Sequence, residues 1–219
     1  MKHYFVPVWL LIITATLSSC KQKQEESAER PAAATSGENE VILTETQPDE
    51  QFWLAVESYA KGEYKQSADY IRESIRAMEK IESSGHANKH AIDLSIAALQ
   101  QLADSVAVNH VSSIEKLNTT FANATKALAH LRLRVTETEF FNGSEQIAGS
   151  HFQSAVEHAN RYISLHHYTP TREEVVILDD VASLSKRMKE GDKISEEELK
   201  ESINAVDSLL TKWETRFNP

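Results

Sequence analysis

Cysteine occurs once in the 219 residues, at Cys20, so no disulfide can form within the chain and no set of thiolates can hold a metal. Glycine and proline are scarce as well, at six and five residues. That is too few for a sheet-rich fold with many tight turns, and too few for the glycine-rich loops that cradle phosphates. Basic side chains fall short of acidic ones, 23 against 33, for a formal charge of −10. Neutralising a phosphate backbone needs the opposite balance, which disfavours nucleic acid as a partner. Catalytic signatures are missing too: the sequence has no His-Glu-x-x-His, Gly-x-Ser-x-Gly or P-loop pattern. No His has Glu three residues before it, the arrangement that carboxylate-bridged di-iron bundles use. Neighbouring acids such as Asp179-Asp180 and Glu173-Glu174 would point about 100° apart on a helix and cannot act as an acid–base pair. The expectation is a helical protein that is not an enzyme.

One long apolar run is present, and it stands at the N-terminus. Lys2 and His3 precede an apolar stretch from Tyr4 to Leu17, followed by small residues and Cys20. At about fourteen residues the stretch is shorter than the roughly twenty a spanning helix needs, so residues 1–19 are expected to be a cleavable export signal. Leu17-Ser18-Ser19-Cys20 resembles the lipobox of bacterial lipoproteins. That resemblance implies that the Cys20 thiol is acylated and that Cys20 becomes the first residue of the mature chain. Loss of Lys2 then moves the charge to −11. Two or more acyl chains hold a protein durably at a membrane it does not span, since each buried methylene contributes about 0.8 kcal/mol. The next residues, Lys21-Gln22-Lys23-Gln24-Glu25-Glu26, are similar to the Lys-then-acidic tag that sends some Gram-negative lipoproteins to the outer face of the outer membrane. The implied location is the cell envelope, on the periplasmic side or at the cell surface. Residues 20–47 are rich in Glu, Gln, Ser, Ala and Thr without periodicity, which predicts a disordered tether reaching on the order of 30 Å.

Beyond the tether, apolar residues recur at steps of four and three. Tyr64, Ala68, Ile71, Ile75 and Met78 form one stripe; Ile92, Ile96, Leu99, Ala103 and Val106 form a second. Leu117, Phe121, Ala124, Leu128, Leu131 and Val135 follow, then Ala148, Phe152, Ala155, Ala159 and Tyr162, and finally Leu199, Ile203, Val206, Leu210, Trp213 and Phe217. Such spacing belongs to helices packed lengthwise in a bundle. Gly62, Gly85, Gly143 and Gly191 stand where helices stop; Thr171-x-x-Glu174, Ser195-x-x-Glu198 and the weaker Ser112-x-x-Glu115 stand where they start. The predicted helices are 49–61, 64–83, 87–108, 113–142, 145–167, 172–190 and 195–217.

An offset of 81 to 82 residues superposes these marks, placing Gly62 on Gly143, Ile71 on Phe152, Asn109 on Gly191, Leu117 on Leu199 and Leu128 on Leu210. The expected architecture is therefore an all-α antiparallel bundle of two duplicated four-helix units, 48–132 and 133–219, sharing a long connecting helix. Within the first unit, Ala55-x-x-x-Tyr59-x-x-Gly62-x-Tyr64-x-x-x-Ala68 is similar to one tetratricopeptide helix pair, over about 30 residues. The chain as a whole resembles an uncharacterised group of secreted bacterial helical proteins carrying Ala-Leu-Ala-His and Gly-x-His segments. Asp104-Ser105-Val106 and Asp207-Ser208-Leu209 resemble a bacterial O-glycosylation sequon, but both fall mid-helix.

Histidine is the remaining chemical feature, with nine in the chain. His86, His90 and Asp93, at steps of four and three, would share one helix face, and the two imidazoles could reach one divalent ion. In an antiparallel pair turning at Gly143, residues whose numbers sum to about 288 lie level, so His130 would face His158 and Glu137 would face His151. Such a set suits a divalent transition metal held between helices. Two functions follow as expectations: a lipid-anchored binding or scaffolding protein of the envelope, with a protein or other envelope partner, or a metal-binding envelope protein built on these histidines. Hydrogen-bonded histidines at the edge of the core are the plainer role.

Overall fold

Apolar stripes with few helix breakers between Pro48 and Pro170 leave the chain one way to bury its side chains, and the computed structural model takes it. Residues 47–83, 89–111 and 113–217 are described. Among them are seven helices and no strand: α1 (Gln47–Ala60), α2 (Tyr64–Ser83), α3 (Lys89–Ala107), α4 (Ile114–Phe141), α5 (Glu145–Leu165), α6 (Arg172–Glu190) and α7 (Glu196–Phe217). No helix among the described residues is long and apolar enough to cross a membrane. The signal reading, the tether reading up to residue 46, Cys20, Gly85, His86 and Ser112 lie outside the described residues; Gln47, expected to end the tether, already belongs to α1.

The stops act through backbone geometry. Gly62, Gly143 and Gly191 have φ of 78°, 83° and 86°, a left-handed conformation that costs a side-chain-bearing residue free energy. Asn109 serves the same purpose after α3 at φ 54°, and His167 does so after α5 at φ 53°. At the starts, Thr171 forms the reciprocal capping box with Glu174. Ser195 accepts the Glu198 N–H at 3.1 Å, while the Glu198 carboxylate turns to Arg187 at 2.5 Å. Before α4 the N-cap is Ser113, without a side-chain cap bond.

Each helix packs on its successor, and α4 also packs on α1 and α7. Burial follows the stripes: all of Ile92, Ile96, Leu99, Ala103 and Val106 are buried, as are Leu117, Phe121, Ala124, Leu128, Leu131 and Val135. Two hydrophobic clusters result, and α4 belongs to both. Its Leu117, Phe121, Leu128 and Leu131 join Phe52, Ile71, Met78 and Leu99 of α1 to α3. Ala122, Ala129 and Leu133, on another face, join Phe152, Tyr162, Met188, Leu210 and Trp213 of α5 to α7. At 28 residues α4 is about 42 Å long, enough to carry both.

The second cluster closes over a buried carboxylate. Glu174 is 1% exposed and accepts from the Thr171 N–H, the Tyr168 hydroxyl, the Trp213 Nε1–H and the Lys212 ammonium. Burial alone would raise its pKa; the hydrogen bonds from Thr171, Lys212, Tyr168 and Trp213 prevail and hold it at about 2.

Candidate functional site

The histidines are placed by partners from other helices. His130 donates through Nδ1 to Asp207 of α7 at 3.0 Å. His151 meets Arg132 of α4 at 3.3 Å, and both are buried. A guanidinium has only donors, so His151 Nδ1 accepts, and the neighbouring positive charge opposes a metal ion there. Glu137 has Arg134 of its own helix within 4.0 Å. His90 is exposed at the start of α3, as is Asp93. Among the described residues no group of three or more His, Cys, Asp and Glu is placed to hold a metal ion. The structure thus does not bring His130, Glu137, His151 and His158 together. Arg132 rather than Glu137 is the α4 side chain that meets His151, because the level across the Gly143 turn corresponds to a sum nearer 283 than 288.

His158 leads to a different site. It is 1% exposed, and its Nδ1–H donates to Asp49 Oδ2 at 2.7 Å. Asp49 Oδ1 also accepts from the Thr125 hydroxyl of α4 at 3.2 Å. This first-turn carboxylate of α1 therefore ties α1 to both α4 and α5, and it favours the dipole of its own helix. A carboxylate with both oxygens engaged by buried partners has one orientation.

Next along α1, Phe52 and Trp53 divide the labour. Phe52 is 1% exposed and stacks on Phe121 at 4.6 Å between ring centroids, while Trp53 is 56% exposed. Consecutive helical residues point about 100° apart, and with Phe52 turned into the core the Trp53 ring stands on the outer side of α1. There it lines an open groove of about 680 Å³ between α1 and α5. Asp49 and Glu50 line it from α1; Glu157, Asn160, Arg161 and Ser164 line it from α5. Spacings of three and four on both helices put each set on one face. Glu157 accepts from Gln153 at 2.8 Å. The side chains of Glu50, Asn160 and Arg161 make no hydrogen bond or ion pair among the described residues. The groove combines a fixed wall, an uncovered aromatic face and unengaged donors and acceptors, features that small-molecule sites share.

Sequence reasoning missed this groove. A signal existed in Glu157-x-x-Asn160-Arg161-x-x-Ser164, a polar stripe at helical spacing, and in a Trp beside the buried ring. What was missing locally is that α1 and α5, 109 residues apart at Asp49 and His158, are neighbours. Comparison with protein-family models, with curated proteins and with solved structures finds no match for this chain.

Proposed function

We propose that this protein is a lipid-anchored, non-catalytic binding module of the cell envelope, held at the membrane through Cys20, with the α1–α5 groove as its contact face. The observation that carries the reading is Trp53: a large aromatic left 56% exposed in a groove whose wall is fixed by the buried Asp49–His158 pair. The lipobox-like Leu17-Ser18-Ser19-Cys20 supports the anchor, and the composition of the residues between Cys20 and α1 supports a spacer that lets a groove reach a partner away from the lipid. The unengaged side chains of Glu50, Asn160 and Arg161 beside the exposed ring support a binding role.

Two measurements test it. Cells fed a radiolabelled or alkyne-tagged fatty acid should label the wild type and not Cys20→Ala; equal labelling removes the anchor. A photo-reactive residue at position 53 in intact cells should capture an envelope component that one at position 176, on the exposed face of α6, does not. Equal capture at both positions, or none at 53, removes the groove as the contact face.

A further inference from the structure

We infer that the α1–α5 groove binds a neutral saccharide, with Trp53 as the stacking platform. This rests on the groove being the contact face, and adds the chemistry of what it holds.

A ligand for this groove must satisfy four features at once. The first is the Trp53 ring, exposed by 56% although its neighbour Phe52 is fully packed. An aromatic face with its negative quadrupole attracts polarised C–H groups, and the axial C–H face of a pyranose ring presents several of them in one plane. The second is the polar lining: Glu50 and Glu157 offer acceptors, Arg161 only donors, and Asn160 and Ser164 both. Hydroxyl groups donate and accept together, so a polyol can engage all of them, and planar carboxylate, amide and guanidinium groups can each meet two adjacent hydroxyls.

The third feature is charge. An anionic ligand would lie against Glu50 and Glu157 on a chain of net −10, and a cationic one would lie against Arg161. Asp49, the third carboxylate of the lining, is already engaged by His158 and Thr125, so the acidic excess open to a ligand is Glu50 and Glu157 against Arg161; a neutral ligand meets neither the carboxylates nor the guanidinium with a like charge. The fourth is preorganisation and size. Asp49 is locked by His158 at 2.7 Å and Thr125 at 3.2 Å, so the α1 wall is set before any ligand arrives. A volume of about 680 Å³ falls in the range of small-molecule sites, and the open sides admit a chain of sugar rings running past the ends.

The test uses the full mature protein in a detergent without a sugar headgroup. The probes are cello-, xylo-, malto- and manno-oligosaccharides of two to six rings, with a uronic-acid oligomer, a polyamine and a lysine-rich peptide as charged comparators, all read by calorimetry. The expected result is binding of at least one neutral series, weakened tenfold or more by Trp53→Ala and severalfold by Arg161→Ala or Glu157→Gln. Circular dichroism and melting of Trp53→Ala should match the wild type, since this side chain is outside the core. Neutral-sugar binding that survives Trp53→Ala overturns the inference, and so does binding confined to the charged probes. If no probe binds while position 53 still cross-links selectively in cells, the saccharide inference falls and the groove remains the contact face. If both fail, both readings fall.

Discussion

Gly149 stands on α5 in close contact with the backbone of α6. A Cβ there would lie 2.8 Å from Met188 Cβ and 2.8 Å from the Ser185 carbonyl oxygen. Two effects of Gly149→Ala oppose each other. Alanine favours helix over glycine by about 1 kcal/mol in a helix interior. Against that, the atoms it meets are a backbone oxygen and a Cβ, neither of which can swing aside, so α6 must shift, and overpacking of this kind costs about 1–3 kcal/mol. The clash is expected to win, leaving Gly149→Ala less stable by up to about 2 kcal/mol in urea unfolding. A stabilised variant would mean that α5 and α6 stand farther apart than described. Glycine was legible as a stop at Gly62, Gly143 and Gly191 because each ends a periodic stripe. Gly149 interrupts none, and its role depends on a partner 36 to 40 positions away.

Glu174 joins one helix to another, so its contribution is best weighed at the level of α6 and α7. It caps its own helix through Thr171 and receives Trp213 and Lys212 from α7. Its folded pKa of about 2 lies below the ordinary 4.5, so folding favours the ionised form. The stabilisation is complete above about pH 5 and is lost as pH falls through 4.5 towards 2, about 3 kcal/mol in all. Glu174→Gln keeps the shape and removes the charge. Urea unfolding should show it less stable than the wild type at pH 6, with the gap closing by about 3 kcal/mol at pH 2. A gap independent of pH would mean that the cluster binds shape rather than charge. The capping half of this arrangement was legible as Thr171-x-x-Glu174; the Trp213 half was not, since nothing in a local pattern says which ring will meet a given cap. The same limit explains the histidines. Periodicity assigned each to a helix, but the partners that fix them are Asp207 for His130 and Asp49 for His158, on helices not adjacent in sequence to their own. The helix ends that lie within described residues were legible, none moving by more than two residues from its expected place, because caps and left-handed residues are local.

For the molecule as a whole, the consequential element is α4. Its first stripe, Leu117 to Val135, was legible at steps of four and three. Its second buried face, Ala122, Ala129 and Leu133, was not, because alanine fits exposed and buried positions alike. With both faces buried, α4 supplies side chains to the cluster of α1 to α3 and to that of α5 to α7. Neither cluster can come apart fully while α4 stays packed in the other without exposing one apolar face of a 28-residue helix to water. Unfolding of residues 47–217 should therefore be a single cooperative event. Leu128→Ala tests this, since Leu128 is fully buried in the first cluster only. The substitution should cost about 2–5 kcal/mol. In hydrogen exchange, the slowest amides of α6 and α7 should lose as much protection as those of α2 and α3, although none of the former helices contributes to the cluster that was cut. Loss confined to α2 and α3 would show two regions that open independently, with α4 fraying between them. Equal loss in all four would mean that the groove wall built from Asp49, Thr125 and His158, which draws on α1, α4 and α5, is held with the stability of the entire bundle rather than that of one hairpin.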